Sequence, residues 1–311
     1  MHYKPYLAGI GFSTIFGLSF MVVRGALEHI DPFHLLGLRF AVAAAVLALL
    51  RLVGLIRFKI SLADIKALLP LLLLMPVLYF PGETIGIQLT SASQAGIIMA
   101  VIPIFVAILS ALLLKEYPSR IQWLFILISV GGVIFMVIME GRGTVGTASP
   151  GIPVLLGTVL AGACYHIASR HAARKYSPLQ LTWAMMATGA LVFNGIALIQ
   201  HAAAGRVNHY FQPLLHIWPV ILYLGVLSSV VAFFLINYSL SRITATQSAI
   251  FSNLETVIAM AAGVFLLHEE LSWFHLLGAA LILAGVWGTN RFAPTAENRT
   301  AGQEQPALTS D

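Results

Sequence analysis

Apolar residues fall in blocks of about twenty from residue 6 to residue 290, parted by short polar stretches. A membrane-spanning helix needs about 20 mostly apolar residues. The blocks at 6–26, 32–53, 67–87, 92–114, 118–139, 150–170, 177–199, 214–236, 245–267 and 271–290 therefore predict ten spanning helices. Pro32, Pro118, Pro150, Pro178 and Pro213 stand where blocks begin, and proline suits the first turn of a helix. The first block is too long for a removable signal peptide and lacks the small-residue cleavage pattern. From Ala293 to Asp311 the pattern gives way to Pro, Thr, Glu, Gln and Asn, which predicts a disordered tail over 293–311.

Composition agrees with the pattern. Hydrophobic residues make up 59% of the 311 and charged residues 9%, against about 25% charged in a soluble domain. The reading is a polytopic protein in a lipid bilayer. With the N-terminus inside, Lys4, Arg51, Arg57, Lys59, Lys66, Lys115, Arg120, Arg170, Arg174, Lys175, Arg242, Arg291 and Arg299 lie on the inner side. Only Arg24, Arg142 and Arg206 lie outside, and Arg39 is left within the second span. This asymmetry puts both termini in the cytoplasm, and the expected location is the plasma membrane, of the bacterial inner-membrane kind. The net charge of +5 reads as a topology signal rather than a nucleic-acid patch. A lone cysteine, Cys164, allows no intramolecular disulfide.

The second half repeats the first. Ser91-Ala-Ser-Gln-Ala-Gly-Ile running into Leu113-Leu-Lys-Glu116 returns as Thr244-Ala-Thr-Gln-Ser-Ala-Ile running into Leu266-Leu-His-Glu269, an offset of 153 residues. Ser119 and Ser272, Gly132 and Gly285, and Val133 and Val286 keep the register. Five spans is an odd number, so the second copy enters from the opposite side. Such inverted repeats are a signature of alternating access. Glu116 and Glu269 sit at equivalent turns, where capping of the following helix competes with a transport role.

Several segments carry a resemblance. Phe16-Gly-Leu-Ser-Phe20 precedes Arg24, Leu38-Arg39-Phe40 follows Pro32, Leu89-Thr-Ser-Ala-Ser93 and Ile243-Thr-Ala-Thr246 open the fourth and ninth spans, and Asn253-Leu-Glu-Thr256 follows. In this order and spacing they resemble the drug/metabolite transporter superfamily, in its ten-span form with two EamA domains. Phe16 stands where tryptophan is usual, and Thr256 where proline is. The resemblance implies an all-α membrane protein of ten transmembrane helices, built as two inverted five-helix repeats over 6–139 and 150–290. It also implies transport of a small metabolite, with no cofactor and no enzymatic reaction.

Ionisable groups at membrane depth are expensive and face the bundle interior or a watery cavity. Glu83, in Tyr79-Phe-Pro-Gly-Glu-Thr-Ile-Gly86, stands beside Pro81 and Gly82, which are expected to loosen the helix and free carbonyls. It reads as a group that binds a cationic or amino moiety or carries a proton, or else as a hydrated carboxylate at the end of a span. Glu255 lies about 15 Å into the ninth span at ~1.5 Å per residue, as a cavity group or a helix-paired structural glutamate. His166, Tyr165, Asn237 and Asn253 are further candidates for substrate binding, with packing as the rival role. Arg39, Arg24, Gln94, Gln247 and Pro103 read as structural or gating, and Pro103 is expected to kink the fourth span. Met99 and Trp183 are weaker candidates for the wall of a cavity formed by spans 1, 3, 4, 6, 8 and 9.

The rivals fare less well. His268 and His275 are seven apart, not the four that a zinc-binding His-Glu-x-x-His requires. No Gly-x-Ser-x-Gly elbow or phosphate-binding loop occurs in the sequence. A channel wants a filter loop or a ring of like groups. The expectation is a secondary transporter of a small organic solute, an amino acid or related metabolite, with export favoured over import. A coupling proton is a candidate partner, and the chain is expected as monomer or homodimer. A channel or lipid-handling protein is the alternative.

Overall fold

The computed structural model describes residues 3–89, 98–140, 150–212, 214–267 and 272–293. Among them every regular element is helical. We number the helices α1 (Lys4–Ala26), α2 (Pro32–Leu52), α3 (residues 62–89), α4 (Ile102–Leu114), α5 (Arg120–Glu140), α6 (Gly151–Ala172), α7 (Pro178–Ala203), α8 (residues 214–242), α9 (Ala245–Ala249), α10 (Ser252–Leu267) and α11 (Trp273–Arg291). Eight of these, namely α1 to α3, α5 to α8 and α11, are long and apolar enough to cross a membrane. The fourth expected span begins in residues outside the described set, and its described helix, α4, is shorter. The ninth is interrupted by a turn at Ile250–Phe251 between α9 and α10. That break is held by the Ser13 hydroxyl, which donates to the Phe251 carbonyl at 2.6 Å.

Local chemistry accounts for the ends. Ser61, Ser177 and Thr244 each accept from a backbone N–H three residues on, and Asp64, Gln180 and Gln247 reach back to them. These are reciprocal capping boxes. Pro103 lies in the first turn of α4, just after the turn at Ala100–Val101. It starts the helix instead of kinking its middle.

Irregularity in the third span also falls elsewhere than Pro81–Gly82, where the helix continues. The chain of α3 loosens into a π-helical stretch at Leu73–Leu78, with Met75 at φ −141° and ψ 116°. A matching π-helical stretch, Tyr223–Val231, interrupts α8. Met75 and Ser228 are equivalent at the 153-residue offset. Wide turns of this kind are frequent at functional sites.

Helix neighbours exchange in the same sense. Taking the two halves helix by helix in order, α1 packs on α10 and α6 on α4; α1 packs on α8 and α6 on α3; α2 packs on α8 and α7 on α3. The pairs α2–α7 and α5–α11 map onto themselves. Glycines allow the closest approaches: a Cβ on Gly132 would lie 2.9 Å from the Gly278 carbonyl, and one on Gly17 would lie 2.7 Å from that of Glu255.

One end of the bundle carries a dense polar network. Glu116, at the end of α4, accepts from Arg170 Nε at 3.0 Å and from the Ala245 backbone N–H at 3.1 Å. Arg170 also donates to the Leu240 carbonyl at 2.8 Å. Gln247 donates to the Tyr6 hydroxyl, and Ser119 and Gln122 donate to the Phe292 and Thr289 carbonyls. The start of α1 and the end of α11 therefore share this terminal end. At the other end the rings of His34, His201 and Tyr210 pack edge-on and tilted against one another, with centroids 4.4–5.2 Å apart. Burial pushes the Tyr210 phenol up, and it donates to Asn194 of α7.

Candidate functional site

A cavity of about 150 Å³ lies in the middle of the bundle and reaches Val23 and Leu27, toward the end opposite the polar network. Its wall comes from α1, α3, α6, α8, α10, the start of α4 with the turn before it, and Arg39 of α2. Both halves of the sequence contribute. At the 153-residue offset, equivalent positions face this one space in pairs: Met75 and Ser228, Phe80 and Phe233, Glu83 and Ile236, Met99 and Ser252, Ala100 and Asn253, Ile102 and Glu255. The phenylalanines match. The carboxylates do not, since each faces an isoleucine in the other copy.

Glu83 and Glu255 are both partly accessible through the cavity. The Tyr79 hydroxyl donates to Glu83 Oε1 at 3.3 Å. Arg39 is held in place by the π-helical stretch of α8: Nε donates to Ser229 at 2.7 Å and Nη2 to Ser228 at 2.9 Å. Its guanidinium lies over the Phe80 ring, 4.7 Å from the centroid. Such stacking is attractive because the ring face is electron-rich.

Two buried polar atoms on the wall have no partner among the described residues. Asn253 spends its amide N–H on Ser129 at 3.1 Å and leaves Oδ1 unbonded, with 1% of the residue exposed. His166, 6% exposed, leaves Nδ1 unbonded. Buried polar atoms without partners cost about 1–3 kcal/mol each, and here both belong to residues of the cavity wall.

The expected residues thus divide. Glu83, Glu255, His166, Tyr165, Asn253, Arg39 and Met99 meet at the cavity. Asn237 does not face it. Its Oδ1 accepts from Tyr165 and Ser169, and its Nδ2 donates to Thr182, so its amide is taken up behind the wall. Gln247 belongs to the terminal-end network, and Trp183 stacks on Phe58 away from the cavity. Gln94 and the side chain of Arg24 lie outside the described residues. Phe12, Phe80, Phe233 and Tyr79 are further wall residues. The 153-residue repeat is the signal for the first three, pairing Phe80 with Phe233 and Phe12 with Tyr165, while the Tyr79 hydroxyl is a polar signal in its own right. No group of three or more His, Cys, Asp or Glu side chains suited to a metal occurs among the described residues.

Comparison with known proteins agrees with this architecture. The model of the EamA-like transporter family matches twice, over residues 3–138 and 149–291. The chain belongs to the EamA-like transporter family. A Bacillus subtilis (strain 168) protein described as uncharacterized transporter YcxC is 42% identical over 287 residues, covering 92% of each chain. A second from that organism, uncharacterized transporter YetK, is 25% identical over 91% of this chain and 86% of its own length. A solved crystal structure superposes with a TM-score of 0.76 at 17% identity, covering 93% of this chain and 99% of the other. That likeness establishes the fold alone. The protein is a multi-pass membrane protein of a transporter family.

Proposed function

We propose that this chain is a secondary-active transporter that moves a small organic metabolite, an amino acid or related solute, across the cell membrane by alternating access. Export is the favoured direction, carried over from the family resemblance. The observation that carries the reading is the cavity wall: equivalent positions of two sequence copies face one space. Copies in opposite orientation exchange conformations to open that space to either side. In this reading the terminal end is cytoplasmic, and the Glu116–Arg170 network closes it while the cavity reaches toward the outside. Glu83 and Glu255 supply charge for the solute or a coupling proton, and Arg39 fixes the α2–α8 contact that frames them.

Purified protein in proteoliposomes tests this. Uptake of a metabolite extract that saturates and accelerates when the lumen is preloaded supports a carrier. Flux that follows the gradient without saturation or counterflow supports a pore and overturns the reading.

A further inference from the structure

Resting on the transport reading, the balance of donors and acceptors in the cavity narrows the solute. We propose that the cavity selects a small monocationic organic amine, an ammonium group on an apolar body without a carboxylate, over the zwitterionic amino acid of the same body. The described wall holds two carboxylates, Glu83 and Glu255, and one cationic side chain, Arg39. Arg39 is already partly committed. Ser228 and Ser229 take N–H groups from two of its nitrogens, and Phe80 covers its plane. A carboxylate on the solute would compete for what remains of that guanidinium with Glu83, which lines the same cavity.

Glu255 is different. It faces the same space as the like-charged Glu83, and no ion pair to it occurs among the described residues. A solute cation completes this arrangement, and a zwitterion brings a second negative charge into it. The hydrogen-bond inventory points the same way. Glu83, Glu255 and the unpartnered Asn253 Oδ1 are acceptors, and an ammonium has N–H donors to give and no acceptor to satisfy. His166 Nδ1 takes either role with its tautomer. The rings of Phe16 and Phe233 on the same wall suit a cation and its apolar body together. The volume, about five waters' share of the liquid, suits a body of a few carbons.

Matched probes test the charge alone. Phenethylamine, phenylalanine and phenylacetate share one apolar body, as do isoamylamine, leucine and isovalerate. Counterflow of each is measured in proteoliposomes holding the full chain. The expected result is an amine preference of at least tenfold in kcat/KM over the amino acid in one or both sets. Glu255→Gln and Glu83→Gln, checked for insertion and melting temperature, should each cut that preference at least tenfold. Saturable flux in which the amino acid or the acid wins overturns the amine proposal and leaves the transport reading standing. Absence of flux for all six probes also overturns it. The transport reading falls with it only if a metabolite extract likewise shows no counterflow. A preference that survives both substitutions in well-folded protein removes the carboxylates from the explanation.

Discussion

Glu116 and Arg170 form an ion pair of 3.0 Å that ties the end of α4 to the end of α6, and Glu116 also accepts from the first N–H of α9. One carboxylate thus joins three helical segments. Both side chains are largely buried, with 19% of Arg170 and 10% of Glu116 exposed. Removing one partner leaves the other charge desolvated and unpaired. Arg170→Ala is expected to cost about 1–3 kcal/mol of stability, read as a lower melting temperature in detergent. In a Cys164→Ala background, it should also speed thiol labelling of Ser248→Cys, a fully buried position of α9, the helix whose first N–H Glu116 holds. Unchanged labelling would show that the pair does not hold that end shut.

The two cavity carboxylates should matter to flux more than to folding. Glu83→Gln and Glu255→Gln are expected to lower transport at least tenfold at equal membrane insertion, about 1.4 kcal/mol of lost interaction. Wild-type flux in both variants would remove these groups from the mechanism.

Asn237 offers the opposite case. Asn237→Leu strands the Tyr165 and Ser169 hydroxyls in a dry interior, while Thr182 keeps its bond to the Pro178 carbonyl, a cost of about 1–3 kcal/mol for each unpaired group. A melting temperature that falls while KM for the transported solute holds is the expected pattern. A raised KM with unchanged melting would place Asn237 in direct contact with solute.

At Gly17 a side chain has no room. Its Cβ would lie 2.7 Å from the Glu255 carbonyl and 2.9 Å from Ile258 Cβ. Gly17→Leu should push α1 off α10 at the level of the cavity, with an overpacking cost of about 1–3 kcal/mol. Thermal melting and counterflow should both decline. Gly25→Leu, where nothing lies within 4 Å of the added Cβ, is the control expected to leave both intact.

Much of this was legible in the sequence because membrane depth makes polarity conspicuous. Glu83, Glu255, His166 and Asn253 stand out in apolar blocks, and all four reach the cavity. The same logic misplaced Asn237, because an asparagine that satisfies neighbouring hydroxyls looks, in sequence, like one that faces a solute. Pro81 and Gly82 suggested a loosened helix, but the distortion sits at Met75, beside Pro76. Phe80 and Phe233 were invisible to polarity because aromatic rings line lipid, core and cavity alike. The serines that hold Arg39 could not be found from its own motif, since they lie 189 and 190 residues away.

The mismatch of carboxylates between the copies reaches beyond the site itself. Were each of Glu83 and Glu255 matched by a second carboxylate at the equivalent position of the other copy, the two faces of the transporter would hold a solute equally well. With Ile236 and Ile102 at those positions instead, the outward and inward arrangements of the proposed alternating-access cycle would present their charges differently, so their half-saturation concentrations should differ. That inequality supplies no accumulation of its own, because around a closed, uncoupled cycle the difference in affinity is cancelled by the shift it causes in the balance of the two states. Any steady gradient of solute must be drawn from another gradient that the same cycle dissipates.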